Sequence, residues 1–105
     1  MQTTITARHC EISDDLRTRA ESVVQRLGQL APRPVESTVL FDTDGGLPIA
    51  ELRLHLSHGE VLVARGDGAD HLTALDRAEE KLRRQVEKAH DRALRVRHDA
   101  PAPDA

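Results

Sequence analysis

The sequence predicts an α+β domain in the order β-α-β-β-β-α, with two helices packed on one face of a four-stranded, mostly antiparallel sheet. Three observations carry this expectation. Two segments place apolar residues at helical spacing, three place them at alternating spacing, and a short apolar run, VLVAR, reads as a fourth strand. Glycines and prolines punctuate the joins. The last three strand segments are connected by tight turns, which suit antiparallel neighbours. A chain of 105 residues with no repeat and no interdomain linker is expected to form a single domain.

The chain opens MQTTITARH. Ile5 and Ala7 alternate with Thr4, Thr6 and Arg8, the pattern of a half-buried strand. Ser13 then offers a helix N-cap, and Asp14 and Asp15 stand in the first turn, where the helix dipole favours negative charge. Leu16, Ala20, Val23, Val24, Leu27 and Leu30 follow at helical spacing. Pro32 and Pro34 cannot continue that helix, so APRP ends it. VESTVLFD puts Val35, Val39 and Phe41 on one side of a second strand, and TDGG makes a turn. PIAELRLHLS places Ala50, Leu52, Leu54 and Leu56 on one face, with Glu51, Arg53 and His55 on the other. HGE turns the chain into VLVAR. Gly66 and Gly68 are expected to break the sheet pattern before a long helix from about Asp70 to about Arg97. The folded domain is thus residues 1–97. The tail 98–105, HDAPAPDA, has no apolar period and is expected to be disordered.

Composition narrows the function classes. Phe41 is the only aromatic residue, so the core must be aliphatic. A single cysteine, Cys10, excludes an internal disulfide. No apolar run is long enough to span a membrane and nothing resembles a signal peptide. The expectation is a soluble, cytoplasmic protein with no membrane partner.

The last helix stands apart in charge. The whole chain carries a formal charge of −3, yet residues 76–97 hold 8 basic and 5 acidic side chains, a local charge of +3. At about 100° per residue, Leu75, Ala78, Leu82, Val86, Ala89 and Ala93 fall in one arc, the expected buried stripe. Arg77, Lys81, Arg84, Lys88, Arg92 and Arg95 fall in a second arc, read as roughly opposite the first. Asp76, Glu80, Glu87 and Asp91 occupy a third, between them. A solvated charged face with some i,i+4 pairing accounts for part of this. A helix built only for solubility usually intersperses the two signs, whereas a continuous cationic stripe suits a polyphosphate backbone. Recognition of splayed bases normally needs aromatic rings, which this chain lacks on any expected surface. A folded RNA read by shape and phosphate position fits better.

Other motifs carry less. RGDGADH follows a strand and opens a helix, but His71 stands where a dinucleotide fingerprint needs its third glycine, and no strand follows to complete a βαβ unit. DTDGG matches the start of a calcium loop, but Gly46 stands where an oxygen ligand is needed, so a hairpin turn is preferred. His9 and Cys10, as neighbours on a strand, are expected to point to opposite faces. His55 and His58 have a metal-like gap without further ligands nearby. No nucleophile elbow or paired-carboxylate signature appears. The expectation is a non-enzyme with no cofactor and no metal.

Three stretches, MQTTITARHCEISDDLR, LHLSHGEVLVARGDGADHLTALD and KLRRQVEKAHDR, resemble the ribosome hibernation promoting factors, also called ribosome-associated inhibitors or the sigma-54 modulation protein family. They occur in the family's order and run over nearly the whole folded part. The resemblance, to the short form of the family, implies the β-α-β-β-β-α fold, whose last five elements are similar to a double-stranded RNA-binding domain. It implies binding to the small ribosomal subunit and its 16S-type RNA, in the channel used by messenger RNA and the anticodon ends of transfer RNA. Such a protein inhibits translation under stress or starvation, takes no small-molecule substrate, and is a monomer off the ribosome. The family's basic positions in the last helix match Lys81, Arg84, Lys88 and Arg92, and Arg17 matches a basic position at the start of the first helix. With Arg77 and Arg95 from the stripe, these are the candidate RNA-binding residues. Leu72 stands near the place where members often carry an aromatic, and the acidic tail replaces a frequent lysine-rich end. The acidic balance keeps a second reading open: a relative that acts as a protein-binding regulator with little ribosome affinity.

Overall fold

The computed structural model describes residues 1–99. Strand β1 (Gln2–Ala7) leads into helix α1 (Asp14–Leu30). Strands β2 (Pro34–Asp44), β3 (Leu47–Leu56) and β4 (Val61–Asp67) follow, and helix α2 (His71–Asp99) closes the domain. The sheet order is β1-β2-β3-β4. β1 runs parallel to β2, with Ile5 opposite Val39, because α1 carries the chain back across the sheet. The other two pairings are antiparallel. The fold is therefore the expected two-layer α+β arrangement with a four-stranded mixed sheet.

Local chemistry sets the boundaries. Ser13 caps α1, its hydroxyl accepting from the Leu16 N–H at 3.1 Å. α1 ends at Leu30, before the two prolines. The β2–β3 turn places Gly45 and Gly46 at φ +57° and +83°, the pair of positive angles that a two-residue hairpin turn requires. The Asp70 carboxylate accepts from the Thr73 N–H at 2.7 Å, satisfying one of the orphan donors at the start of α2. That bond is also the main reason the Asp70 carboxyl lies below its ordinary pKa.

The core lies between the helices and one face of the sheet. Val23, Val24 and Leu27 of α1 and Leu75, Leu82 and Val86 of α2 pack with Val39, Phe41, Leu52 and Leu54. Their side chains are essentially withdrawn from water, each contributing on the order of 1.5–3 kcal/mol of burial. Ser37 is also fully buried, and its hydroxyl is satisfied by Thr3 Oγ1 at 2.9 Å.

Several expectations are corrected. Gly66 does not break the sheet; it pairs with Ala50 inside β4. A Cβ there would collide with the Ala74 carbonyl oxygen and come within 2.6 Å of the Ala78 nitrogen, so glycine lets α2 lie directly on β4. Leu30 and Val35 are half exposed, not core. Leu30 is the last residue of α1, and Val35 falls at an irregularity between Pro34 and Glu36 that turns it out of register. Ala93 is only partly buried, because it lies toward the far end of α2. His9 and Cys10 are not strand neighbours: β1 ends at Ala7, and His9 adopts φ +58°. Helix α2 runs two residues past Arg97, so His98 and Asp99 of the expected tail are helical. The rest of that tail lies outside the described residues.

Candidate nucleic-acid interface

Helix α2 lies over β3 and β4 with its buried stripe on the sheet, and α1 packs beside it. This fixes what each remaining arc of the helix meets. One flank faces α1. There Asp76 accepts from Arg19 at 3.3 Å, and Glu79 accepts from Arg26 at 3.1 Å. Glu79 is nearly buried, so its carboxylate is held by a partner and does not belong to the solvated surface.

The other flank carries the cationic stripe, and it borders the open edge of β4. Arg77 Nη1 donates to the Asp67 carbonyl at 3.0 Å. Lys81 Nζ donates to the Arg65 carbonyl at 2.9 Å. Gln85 Nε2 donates to the Val63 carbonyl at 2.7 Å. The match is geometric: four helical residues advance about 6 Å, and two strand residues advance about 6.6 Å. The stripe is thus not opposite the buried face, as the helical arcs suggested. Its centre lies about 120° away, where long side chains reach the strand edge.

The remaining cations continue along the same flank. Arg84 pairs with Glu80 at 2.9 Å, one turn earlier, and Arg92 pairs with Glu60 at 2.9 Å. The Glu60 carboxyl is held below its ordinary pKa, first by Arg92 and then by His58 at 3.3 Å. Asp67 lies 3.7 Å from Arg77. Among the described residues, Lys81, Lys88 and Arg95 pair with no carboxylate. From Arg77 to Arg95 the stripe covers about 27 Å of helix. Lys88, Arg92 and Arg95 line a groove of about 560 Å³ with Glu60, Val61 and Gln85. A second groove of about 880 Å³ adjoins it through Glu60 and Arg92, and adds Arg33 and His58.

Arg17 does not join this surface. It sits on α1 and reaches the Ile5 carbonyl at 3.5 Å, on the β1 edge of the sheet. Three strand spacings, about 14 Å, separate that edge from β4. The structure therefore brings together six of the seven candidate cations: Arg77, Lys81, Arg84, Lys88, Arg92 and Arg95.

The profile of the sigma 54 modulation protein / S30EA ribosomal protein family matches residues 3–94. The chain belongs to this family. It is 28% identical over 100 residues to the ribosome hibernation promotion factor of Rhizobium meliloti (strain 1021), covering 94% of this chain and 52% of that protein. The chain thus spans about half the length of that relative. The N-terminal domain of protein Y from Thermus thermophilus superposes with a TM-score of 0.72 at 27% identity, over 84% of this chain and 98% of that one. A ribosomal subunit interface protein from Coxiella burnetii shares the fold, with a TM-score of 0.71 at 22% identity over 84% and 96% of the two chains.

Three residues of this family member's surface escaped the sequence reading. Gln85 borders the cationic arc, about 80° around the helix from Arg77, but carries no charge. Arg33 reads in the sequence as part of a helix stop, and His58 as part of a turn and of a metal-like spacing with His55. Their positions around the end of α2 depend on tertiary packing, which leaves no local signal.

Proposed function

We propose that this domain is a ribosome hibernation factor that binds the small ribosomal subunit through RNA phosphates along the β4-facing flank of α2. In this reading it occupies the channel for messenger RNA and transfer RNA anticodon ends, and inhibits translation by occupancy. It works in the cytoplasm and performs no chemistry. One observation carries the reading: six basic side chains share one 27 Å flank, and three of them have no carboxylate partner among the described residues. Family membership, and the name of the relative from Rhizobium, support a ribosomal target.

Binding of this kind releases counterions from RNA. Co-sedimentation with purified small subunits is expected to weaken steeply with salt, with a log–log slope of about −3 or steeper if three or more phosphates are neutralised. A flat salt dependence, or no co-sedimentation at low salt, contradicts the reading and favours a protein partner.

A further inference from the structure

We propose that the backbone N–H groups of Val63 and Arg65, on the open edge of β4, bind RNA phosphate oxygens alongside the cationic side chains of α2. The inference rests on the reading of this flank as an RNA-phosphate surface, and it adds a class of donor that no basic residue supplies.

In an antiparallel pair, residues alternate between those that exchange hydrogen bonds with the neighbour and those whose N–H and C=O both point away. β4 has a neighbour on one side only, β3. The carbonyls of Val63, Arg65 and Asp67 accept from α2 side chains, so these residues are the outward-pointing set. The N–H groups of Val63 and Arg65 therefore point outward too. Among the described residues they meet no acceptor.

An ordinary strand edge presents donors and acceptors in alternation, and its carbonyl oxygens repel an approaching phosphate. Here Arg77, Lys81 and Gln85 occupy the carbonyls of Asp67, Arg65 and Val63. What remains on that part of the edge is the N–H donors of Val63 and Arg65, flanked by side chains that still have N–H groups to spare: a lysine ammonium has three and a guanidinium five. A sheet edge of this kind forms an anion-binding surface. The side chains of Val63 and Arg65 are exposed on the face of the sheet away from the helices, which leaves that approach to the edge open. Gln85 contributes without charge, by masking the Val63 carbonyl near the groove of Lys88 and Arg92. The fitting ligand is a phosphodiester strand running along the β4–α2 seam.

The test replaces the Val63 amide by an ester in the full chain, using the corresponding hydroxy acid, which removes the N–H and keeps the side chain. Val63→Pro serves as a second variant, since proline is tolerated at an edge position whose N–H faces solvent. The probe is a duplex RNA of about 16 base pairs, together with small ribosomal subunits. Either variant is expected to fold as the parent and to bind on the order of tenfold more weakly, as befits a hydrogen bond to a charged group. In the parent, the amide resonances of Val63 and Arg65 are expected to shift downfield on RNA addition, and this readout stands even if Val63→Pro fails to fold. If the parent binds RNA with a steep salt dependence, yet the ester variant binds equally well and these amides do not move, the edge proposal is overturned and the side-chain reading survives. If the parent binds neither probe, the side-chain reading fails and the edge proposal falls with it.

Discussion

The two flanks of α2 carry opposite charge for different reasons. On the flank toward α1, Asp76 and Glu79 meet Arg19 and Arg26, and the charges close the seam between two helices. On the flank toward β4, the strand edge offers carbonyl oxygens, and cations with long stems satisfy them. Acidic side chains there would leave those carbonyls facing like partial charge. Part of the sign sorting along this helix is therefore structural. The excess is what points to a ligand: Lys88 and Arg95 have neither a carbonyl nor a carboxylate to serve among the described residues, and Lys81 serves a carbonyl while keeping its full charge.

The contrast can be attacked at its root. Gly66→Ala would place a methyl group against the backbone of α2 at Ala74 and Ala78, neither of which can yield locally. A loss of about 1–3 kcal/mol is expected, lowering Tm by about 4–8 °C for each kcal/mol. Binding should weaken as well, because the β4 seam would open; calorimetry and co-sedimentation read the two effects.

Breaking the α1 flank alone should separate stability from binding. Arg26→Ala leaves the nearly buried Glu79 without its partner, at a cost of about 1 kcal/mol, toward the low end because Arg26 itself is exposed. Urea unfolding should show that loss, while small-subunit binding stays at the parent level. Equal losses in both would mean that the two flanks are not independent.

A third region serves as a control for pH. The Asp42 carboxyl is pulled down to a pKa of about 2, first by Arg8, then by His9 and the Thr43 N–H. Its folded value lies below its ordinary 3.8, so its contribution is complete above about pH 4 and is lost as the pH falls toward 2. Asp42→Asn should flatten the dependence of the urea midpoint on pH in that window. Smallest of all should be Glu80→Ala with Glu87→Ala. Both residues are exposed, so stability should change by less than about 0.5 kcal/mol each, and RNA binding should hold or strengthen as negative charge leaves. A marked loss of binding would show that these carboxylates orient the cations.

How far the sequence carried this account varies with the kind of information needed. Period-2 and period-3.6 patterns identified Leu52 and Leu54 in a strand and Leu75, Leu82 and Val86 on a helix, because burial of one face is written in local spacing. The same spacing grouped Arg77, Lys81, Lys88 and Arg92 on one arc. It could not say which neighbour that arc meets. That depends on where β4 lies beneath α2, and hence on Gly66, which as a residue type reads equally well as a strand breaker. Val35 and Leu30 were misread because periodicity does not register an irregular strand start or the end of a helix. Glu79 stands beside the exposed Glu80 in the sequence, yet it is nearly buried and held by Arg26, which only the packing of α1 against α2 decides. Arg17 was attached to the site through family likeness alone, and the sheet puts it on the far edge.

The most direct test removes the cations that have no carboxylate partner. Lys88→Glu and Arg95→Glu, which serve no carbonyl among the described residues, combined with Lys81→Gln, which keeps a donor for the Arg65 carbonyl, should leave the far-ultraviolet circular dichroism of the parent intact, since exposed positions of this kind cost less than about 0.5 kcal/mol each. Co-sedimentation with small ribosomal subunits at low salt should disappear, through lost phosphate contacts and new repulsion. A triple variant that folds like the parent and still sediments with small subunits as the parent does would contradict the assignment of this flank as the RNA-binding surface.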